Sequence, residues 1–181
     1  APFVFDEAPP LVEILLLNGG YMRTLEQIGD VTTRSGNDVV ILQGRLNNKI
    51  VLRGGNDILN PGLGIDTVNA GSGGDDLIIL DYSVGEDADI GGVTNNISGW
   101  PIRRRISDGV VVDQIAIGTF ERVHFTGSSK NDFFQGLNGN DQIFGGTGND
   151  ALNGGNGNDW LYGGPGADTM NGGNQNDTYI V

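Results

Sequence analysis

The feature that most constrains this chain is a nine-residue period. From Gly127 to Ile180 six nonamers abut without a gap: GSSKNDFFQ, GLNGNDQIF, GGTGNDALN, GGNGNDWLY, GGPGADTMN and GGNQNDTYI. Aspartate takes the sixth place each time, as Asp132, Asp141, Asp150, Asp159, Asp168 and Asp177. An apolar or aromatic residue takes the eighth, as Phe134, Ile143, Leu152, Leu161, Met170 and Tyr179. A unit this short cannot bury a face by itself, so the period implies stacked copies that share one continuous core.

A looser block precedes it, with TRSGNDVVI from Thr33, LRGGNDILN from Leu52, PGLGIDTVN from Pro61 and AGSGGDDLI from Ala70. Its sixth-place residues read as Asp38, Asp57, Asp66 and Asp75. Between its first two members, Asn48 and Ile50 stand where an aspartate and an inward apolar residue are expected, which describes a degenerate coil that keeps the shape and loses the ligand.

Local structure follows from the residue types. In Gly145-Gly146-Thr147-Gly148-Asn149-Asp150-Ala151-Leu152-Asn153, three glycines in four positions permit backbone angles that a side chain forbids, so the first six residues form a tight turn. The last three suffice for one short strand, with Leu152 inward and its neighbours outward. If each nonamer supplies one turn and one strand, two complete a coil, and residues 18 apart stack at about 4.8 Å. Asp132, Asp150 and Asp168 then line one edge of the stack, and Asp141, Asp159 and Asp177 the other.

Carboxylates about 5 Å apart repel by roughly 3 kcal/mol at an effective dielectric near 20, and a core one residue thick per strand absorbs that poorly. A hard dication resolves the conflict. Calcium takes about six to eight oxygen ligands and accepts carboxylates and main-chain carbonyls together, whereas magnesium insists on octahedral geometry and keeps its waters. Several Ca2+ ions are therefore the expected cofactors, and folding is expected to be coupled to their binding.

Composition narrows the alternatives. Glycine contributes 32 residues and proline only 6, which excludes a collagen or proline-rich design. With 23 acidic against 10 basic residues and a formal net charge of −13, the chain is a poor partner for nucleic acid. The absence of cysteine excludes disulfides and thiolate metal sites. The longest apolar run, Ile14-Leu15-Leu16-Leu17, is too short to span a membrane, and no basic segment precedes it as a signal peptide requires.

Four segments result: residues 1–32 as an N-terminal cap, 33–78 as the degenerate block, 79–126 as a non-repeat β insert, and 127–181 as the regular block. In the cap, the apolar run after Pro9-Pro10 reads as a strand or one short helix. The insert reads as antiparallel strands over Ile79–Tyr82, Arg105-Ile106 and Val110–Val112, with Ser107-Asp108-Gly109 as a hairpin turn between the last two.

The nonamers resemble the RTX, or hemolysin-type, calcium-binding repeat of bacterial exoproteins, G-G-x-G-x-D-x-U-x. GGTGNDALN and GGNGNDWLY match every fixed position, as does GGPGADTMN with Met170 as the large apolar residue. The resemblance implies an all-β fold, a right-handed parallel β-roll in two repeat blocks with an intervening antiparallel β segment. Calcium would be held between turns by the sixth-place aspartates and by carbonyls of alternate turn residues. That ligand set takes in Gly139, Gly146, Gly148, Gly155, Gly157, Gly164 and Gly166. The family is exported unfolded through a type I channel and folds where calcium is abundant, which implies a secreted or cell-surface location. Lys130 and Gln175 replace the fourth-place glycine at the ends of the regular block, which leaves the outermost sites incomplete. The family's export signal follows its repeats, so a chain stopping at Val181 is expected to be a piece of a larger exoprotein, whose neighbouring domains or subunits are its further partners.

Other constellations read as structural. His124 is the sole histidine and has no catalytic companion, and neither HExxH nor GxSxG occurs, so the chain is not read as an enzyme. Glu86, Asp87 and Asp89 read as a solvated loop. Arg103-Arg104-Arg105 beside Trp100-Pro101 is the one basic cluster. It raises a second function, a surface or polysaccharide-binding module; the accessory roll of a secreted enzyme is a third. Phe133, Trp160 and Tyr162 flank eighth-place positions and should point outward.

Overall fold

The computed structural model describes residues 14–15, 21–23, 30–83, 91–95, 101–104, 109–117 and 119–181. Every regular element among them is a strand, and the strands form two sheets facing each other across a shared core. One sheet runs, in spatial order, through Ile14–Leu15, Asp30–Thr32, Lys49–Val51, Ile65–Asn69, Val111–Ile115, Pro101–Arg104, Thr94–Asn95, Phe133–Gln135, Ala151–Asn156 and Thr169–Asn174. The other runs through Tyr21–Arg23, Val39–Ile41, Ile58–Asn60, Leu77–Asp81, Arg122–Thr126, Gln142–Phe144, Trp160–Tyr162 and Thr178–Ile180. Consecutive repeats alternate between the sheets and pair in parallel with the coil before, which makes the fold a parallel β-roll.

The expected stacking holds in the regular block, where Phe134 pairs with Leu152 and Leu152 with Met170 on one side, and Ile143 with Leu161 and Leu161 with Tyr179 on the other. Phe134, Ile143, Leu152 and Leu161 are buried, and Phe125 stacks on Phe134 at 3.8 Å between ring centroids. Tyr179, in the last coil, is 49% exposed. Phe133, Trp160 and Tyr162 point outward, as their odd offset from the core positions requires.

The insert differs from its sequence reading. Leu77–Asp81 and Arg122–Thr126 are roll strands, paired in parallel with each other and with the coils on either side. Two residues of each face inward, Ile78 with Leu80 and Val123 with Phe125, so their alternation serves the same core. Among the described residues antiparallel pairing is confined to Thr94–Asn95, Pro101–Arg104 and Val111–Ile115, which widen one sheet while the other passes straight from Leu77–Asp81 to Arg122–Thr126. Arg104 pairs with Val111 across the expected hairpin, whose residues 105–108 lie outside the described set. In the segment read as a cap, Ile14–Leu15 is a strand, and it and Tyr21–Arg23 pair in parallel with the roll.

Candidate metal centre

A sixth-place aspartate ends a turn and begins a strand, so its carboxylate lies against the backbone of the neighbouring coil. One oxygen is spent there. Asp150 Oδ1 accepts the N–H of Asp132 and Asp168 Oδ1 that of Asp150, both at 2.8 Å. On the opposite edge Asp159 accepts from Asp141 at 2.8 Å and Asp177 from Asp159 at 3.1 Å. Fifth-place asparagines bond in the reverse direction: Asn131 Oδ1 accepts the N–H of Asn149, and Asn149 Oδ1 that of Ala167, both at 2.9 Å. Sequence reasoning passed over these asparagines, although the recurring Asn-Asp pair was their signal.

The second oxygen divides the repeats into two kinds. In two of the four repeats that begin Gly-Gly, Oδ2 of Asp150 and of Asp159 is buried without a hydrogen-bond partner, and so is Oδ2 of Asp57 in the first block. Leaving such an atom unsatisfied costs about 1–3 kcal/mol, more for a charged group. In the two repeats with Ser128 or Leu137 at the second place, that residue's N–H donates to Oδ2 of Asp132 or Asp141, each at 2.6 Å. Second-place Gly146 and Gly155 instead have φ of 104° and 108°, the left-handed region open to glycine.

Two of the orphaned oxygens, on Asp150 and Asp159, border a space that only glycine leaves open. A Cβ on Gly145 would lie 2.6 Å from the carbonyl oxygen of Gly163 and closer still to Asp150 Oδ2. One on Gly154 would lie 2.5 Å from Gly172 O and closer to Asp159 Oδ2. Carboxylate and next-coil carbonyl thus converge on the volume a side chain would fill. Oxygens of Ser128, Leu137 and Gly146 likewise press on Gly146, Gly155 and Gly164, and those of Lys130, Gly139 and Gly148 on Gly148, Gly157 and Gly166. Gly139 departs from this set: its φ is not in the left-handed region, and its N–H donates to Glu121 O at 2.8 Å. Gln175 keeps the fourth-place conformation without being glycine, at φ 80°.

Burial holds these carboxyls in the protonated form to unusual pH. It pushes Asp141 and Asp66 up to about 7 and Asp132 to about 6, against the N–H bonds that favour the anion. Asp57, Asp150 and Asp159 are raised by burial too, reinforced by the stacked Asp38, Asp168 and Asp177. All-oxygen donors, partnerless carboxyl oxygens and converging carbonyls fit calcium. Among the described residues no three acidic, histidine or cysteine side chains converge, so a bound ion would draw much of its coordination from main-chain carbonyls.

The first block corrects one expected position. Asp76, not Asp75, continues the ladder: Asp76 is buried and its Oδ1 accepts the N–H of Asp57 at 2.8 Å. Asp75 is exposed and pairs with Arg122 at 2.7 Å. Ten residues instead of nine separate Asp66 from Asp76, and the inward Ile78 fixes the frame. Asp57 accepts from Asp38 at 2.8 Å, and Glu121 takes the next step by accepting from Asp76 at 2.9 Å. On the other edge Asp66 meets Asn48, and Asp113, buried and bonded to Arg45 at 2.5 Å, accepts the N–H of Gly64.

His124 stacks on Phe144 at 5.3 Å. Glu86, Asp87, Asp89, Trp100 and Arg105 lie outside the described residues, as do the side chains of Arg103 and Arg104. Residues 47–68, 124–152 and 144–179 match the family model of the RTX calcium-binding nonapeptide repeat. No curated protein matches the chain.

Proposed function

With its matched segments belonging to the RTX calcium-binding nonapeptide repeat family, we propose that this chain is the part of an exported bacterial protein that folds on meeting calcium outside the cell. It is a calcium-binding RTX β-roll module. The observation carrying the proposal is the set of buried, partnerless oxygens on Asp57, Asp150 and Asp159. Without a cation these atoms oppose the coil that buries them, so metal affinity appears as folding free energy. Bound calcium supplies positive charge shared among carboxylate and carbonyl oxygens. The chain itself presents Oδ2 and the next-coil carbonyl together at Gly145 and at Gly154, and holds them with the aspartate and asparagine ladders. The candidate ligands are Asp38, Asp57, Asp76, Asp132, Asp141, Asp150, Asp159, Asp168 and Asp177, with turn carbonyls. Those at Asp57, Asp150 and Asp159 are the best formed.

A chain that is incomplete without calcium suits passage through a type I export channel followed by folding at extracellular calcium, about 10⁻⁴–10⁻³ M for modules of this class. Its role is then structural, and catalysis belongs to whatever it accompanies. The test is titration of metal-free chain followed by circular dichroism and calorimetry, with magnesium as control. A cooperative gain of β signal with several equivalents of calcium is expected; a β signal already complete without metal would overturn the reading. A second reading, as a surface or polysaccharide-binding module, draws on the outward Phe144, Trp160 and Tyr162 of one sheet, where Trp160 is 54% exposed. Glycan binding abolished by Trp160→Ala would promote it.

A further inference from the structure

We infer that the side-chain amide of Asn48 takes over the work of a cation, so that the edge of the roll formed by Asn48 and Asp66 closes without calcium. The inference rests on the reading of the other edges as calcium sites. Asn48 occupies a sixth place, in register with Asp66, and its backbone N–H donates to Asp66 Oδ1 at 2.9 Å, as the ladder aspartates do. Its side chain is what differs. Nδ2 donates to Asp66 Oδ1 at 3.0 Å, to Leu46 O at 3.2 Å and to Pro61 O at 3.3 Å. Leu46 O belongs to the turn of its own repeat, and Pro61 is the first residue of the next coil's repeat, the counterpart of Gly163 beside Asp150.

Three oxygens thus converge on one nitrogen where, in the Gly-Gly repeats, a carboxylate oxygen and the corresponding carbonyl face each other with no donor between them. An amide carries two N–H groups and no charge, so it satisfies these lone pairs and removes the like-charge contact with Asp66. Asn48 is 5% exposed, which keeps water from doing the same work. The sequence change that looks like loss of a ligand supplies the positive partner from within the chain.

The test uses the whole chain with Asn48→Asp and Asn48→Ala, reading thermal stability in calcium-stripped buffer and calcium stoichiometry by calorimetry. Asn48→Asp is expected to melt lower than the parent without calcium, to recover with calcium, and to bind one equivalent more. Asn48→Ala should melt lower with no added equivalent and no preferential recovery. Unchanged stoichiometry in Asn48→Asp, equal calcium rescue of both variants, or an Asn48→Asp chain that stays unfolded in saturating calcium would each overturn the inference. Absence of any calcium response in the parent would instead sink the reading on which it rests.

Discussion

In the 127–181 block each coil is 18 residues long and sets one aspartate on each edge, with glycine at the first place of all six repeats. In the 33–78 block the aspartates of one edge, Asp38, Asp57 and Asp76, stand 19 residues apart, and the other edge pairs Asp66 with Asn48. Both blocks build the same parallel ladder around an equally thin core. What differs from site to site is the source of the partners for buried carboxylates. The first block draws some from within the protein, through the Asn48 amide and the Arg45 guanidinium on Asp113. Asp57 of the same block, like Asp150 and Asp159 of the later one, leaves an oxygen to a cation, whereas Asp132 and Asp141 take a main-chain N–H. Each block therefore holds both kinds of carboxylate, one met by the chain itself and one left to a cation.

The largest effect is expected from filling the space that distinguishes the regular block. Gly154→Val places a branched side chain against Asp159 Oδ2 and Gly172 O, where even a Cβ is too close. Backbone and carboxylate must both move, and a loss of about 3 kcal/mol or more is expected, together with the calcium equivalent of that edge. Chemical denaturation in saturating calcium measures the first and calorimetry the second. A variant with parental stability and stoichiometry would mean that the glycine serves the turn alone.

Next in size is the response to pH, and its sign is unusual for carboxylates. Asp66 and Asp141 are raised to about 7 and Asp132 to about 6, from an ordinary value of 3.8. A raised folded-state value means the folded chain binds more protons, so this contribution is complete below about pH 4 and is lost as pH climbs through 6 and 7. Metal-free chain should therefore show more β signal and a higher melting temperature at pH 5 than at pH 7.5. Calcium competes with those protons, so its apparent affinity should rise over the same window. A metal-free chain that gains stability from pH 5 to 7.5 would contradict both halves.

Much of this was legible in the sequence, and the part that was not has a common cause. A strict nonamer fixes the register by counting, which is why Asp132 to Asp177 and the inward Phe134, Ile143, Leu152 and Leu161 fall where the period puts them. One extra residue defeats counting. Between Asp66 and the next ladder member the spacing is ten, two adjacent aspartates satisfy the pattern, and only the burial of Ile78 decides for Asp76. The stretch 79–81 reads as part of the insert because a five-residue strand, Leu77–Asp81, with two inward positions outgrows the three-residue strand of a nonamer. Asn48 read as a lost ligand because sequence lists a residue's own chemistry and not the oxygens the next coil brings to it.

A smaller effect is expected from giving the regular block the first block's device. Asp159→Asn can place an amide nitrogen where the partnerless Oδ2 now lies, beside Gly172 O. Its Oδ1 can still accept from Asp141, so the ladder is retained. In calcium-stripped buffer the variant should be more stable than the parent by about 1–2 kcal/mol, the usual cost of an unmet buried acceptor, while binding less calcium. Lower metal-free stability than the parent would show that the amide works only in the particular frame around Asn48.

The smallest effect is expected at Asp75, one of the two neighbouring aspartates at the end of the first block. Asp76→Ala removes the acceptor of the Asp57 N–H in a buried setting and should cost about 1–3 kcal/mol. Asp75→Ala removes a carboxylate that bonds Arg122 at 2.7 Å, a shorter contact than the 2.8 Å one it is compared with. Distance misleads here. The Asp75 side chain is 55% exposed and that of Arg122 34%, so water already competes for both charges, and exposed pairs of this kind contribute about 0–1 kcal/mol. Thermal melts of the two variants should differ accordingly, with Asp75→Ala close to the parent and its residual loss fading as salt is added. The reverse ranking would return the ladder to Asp75 and, with it, the nine-residue count across Ala70.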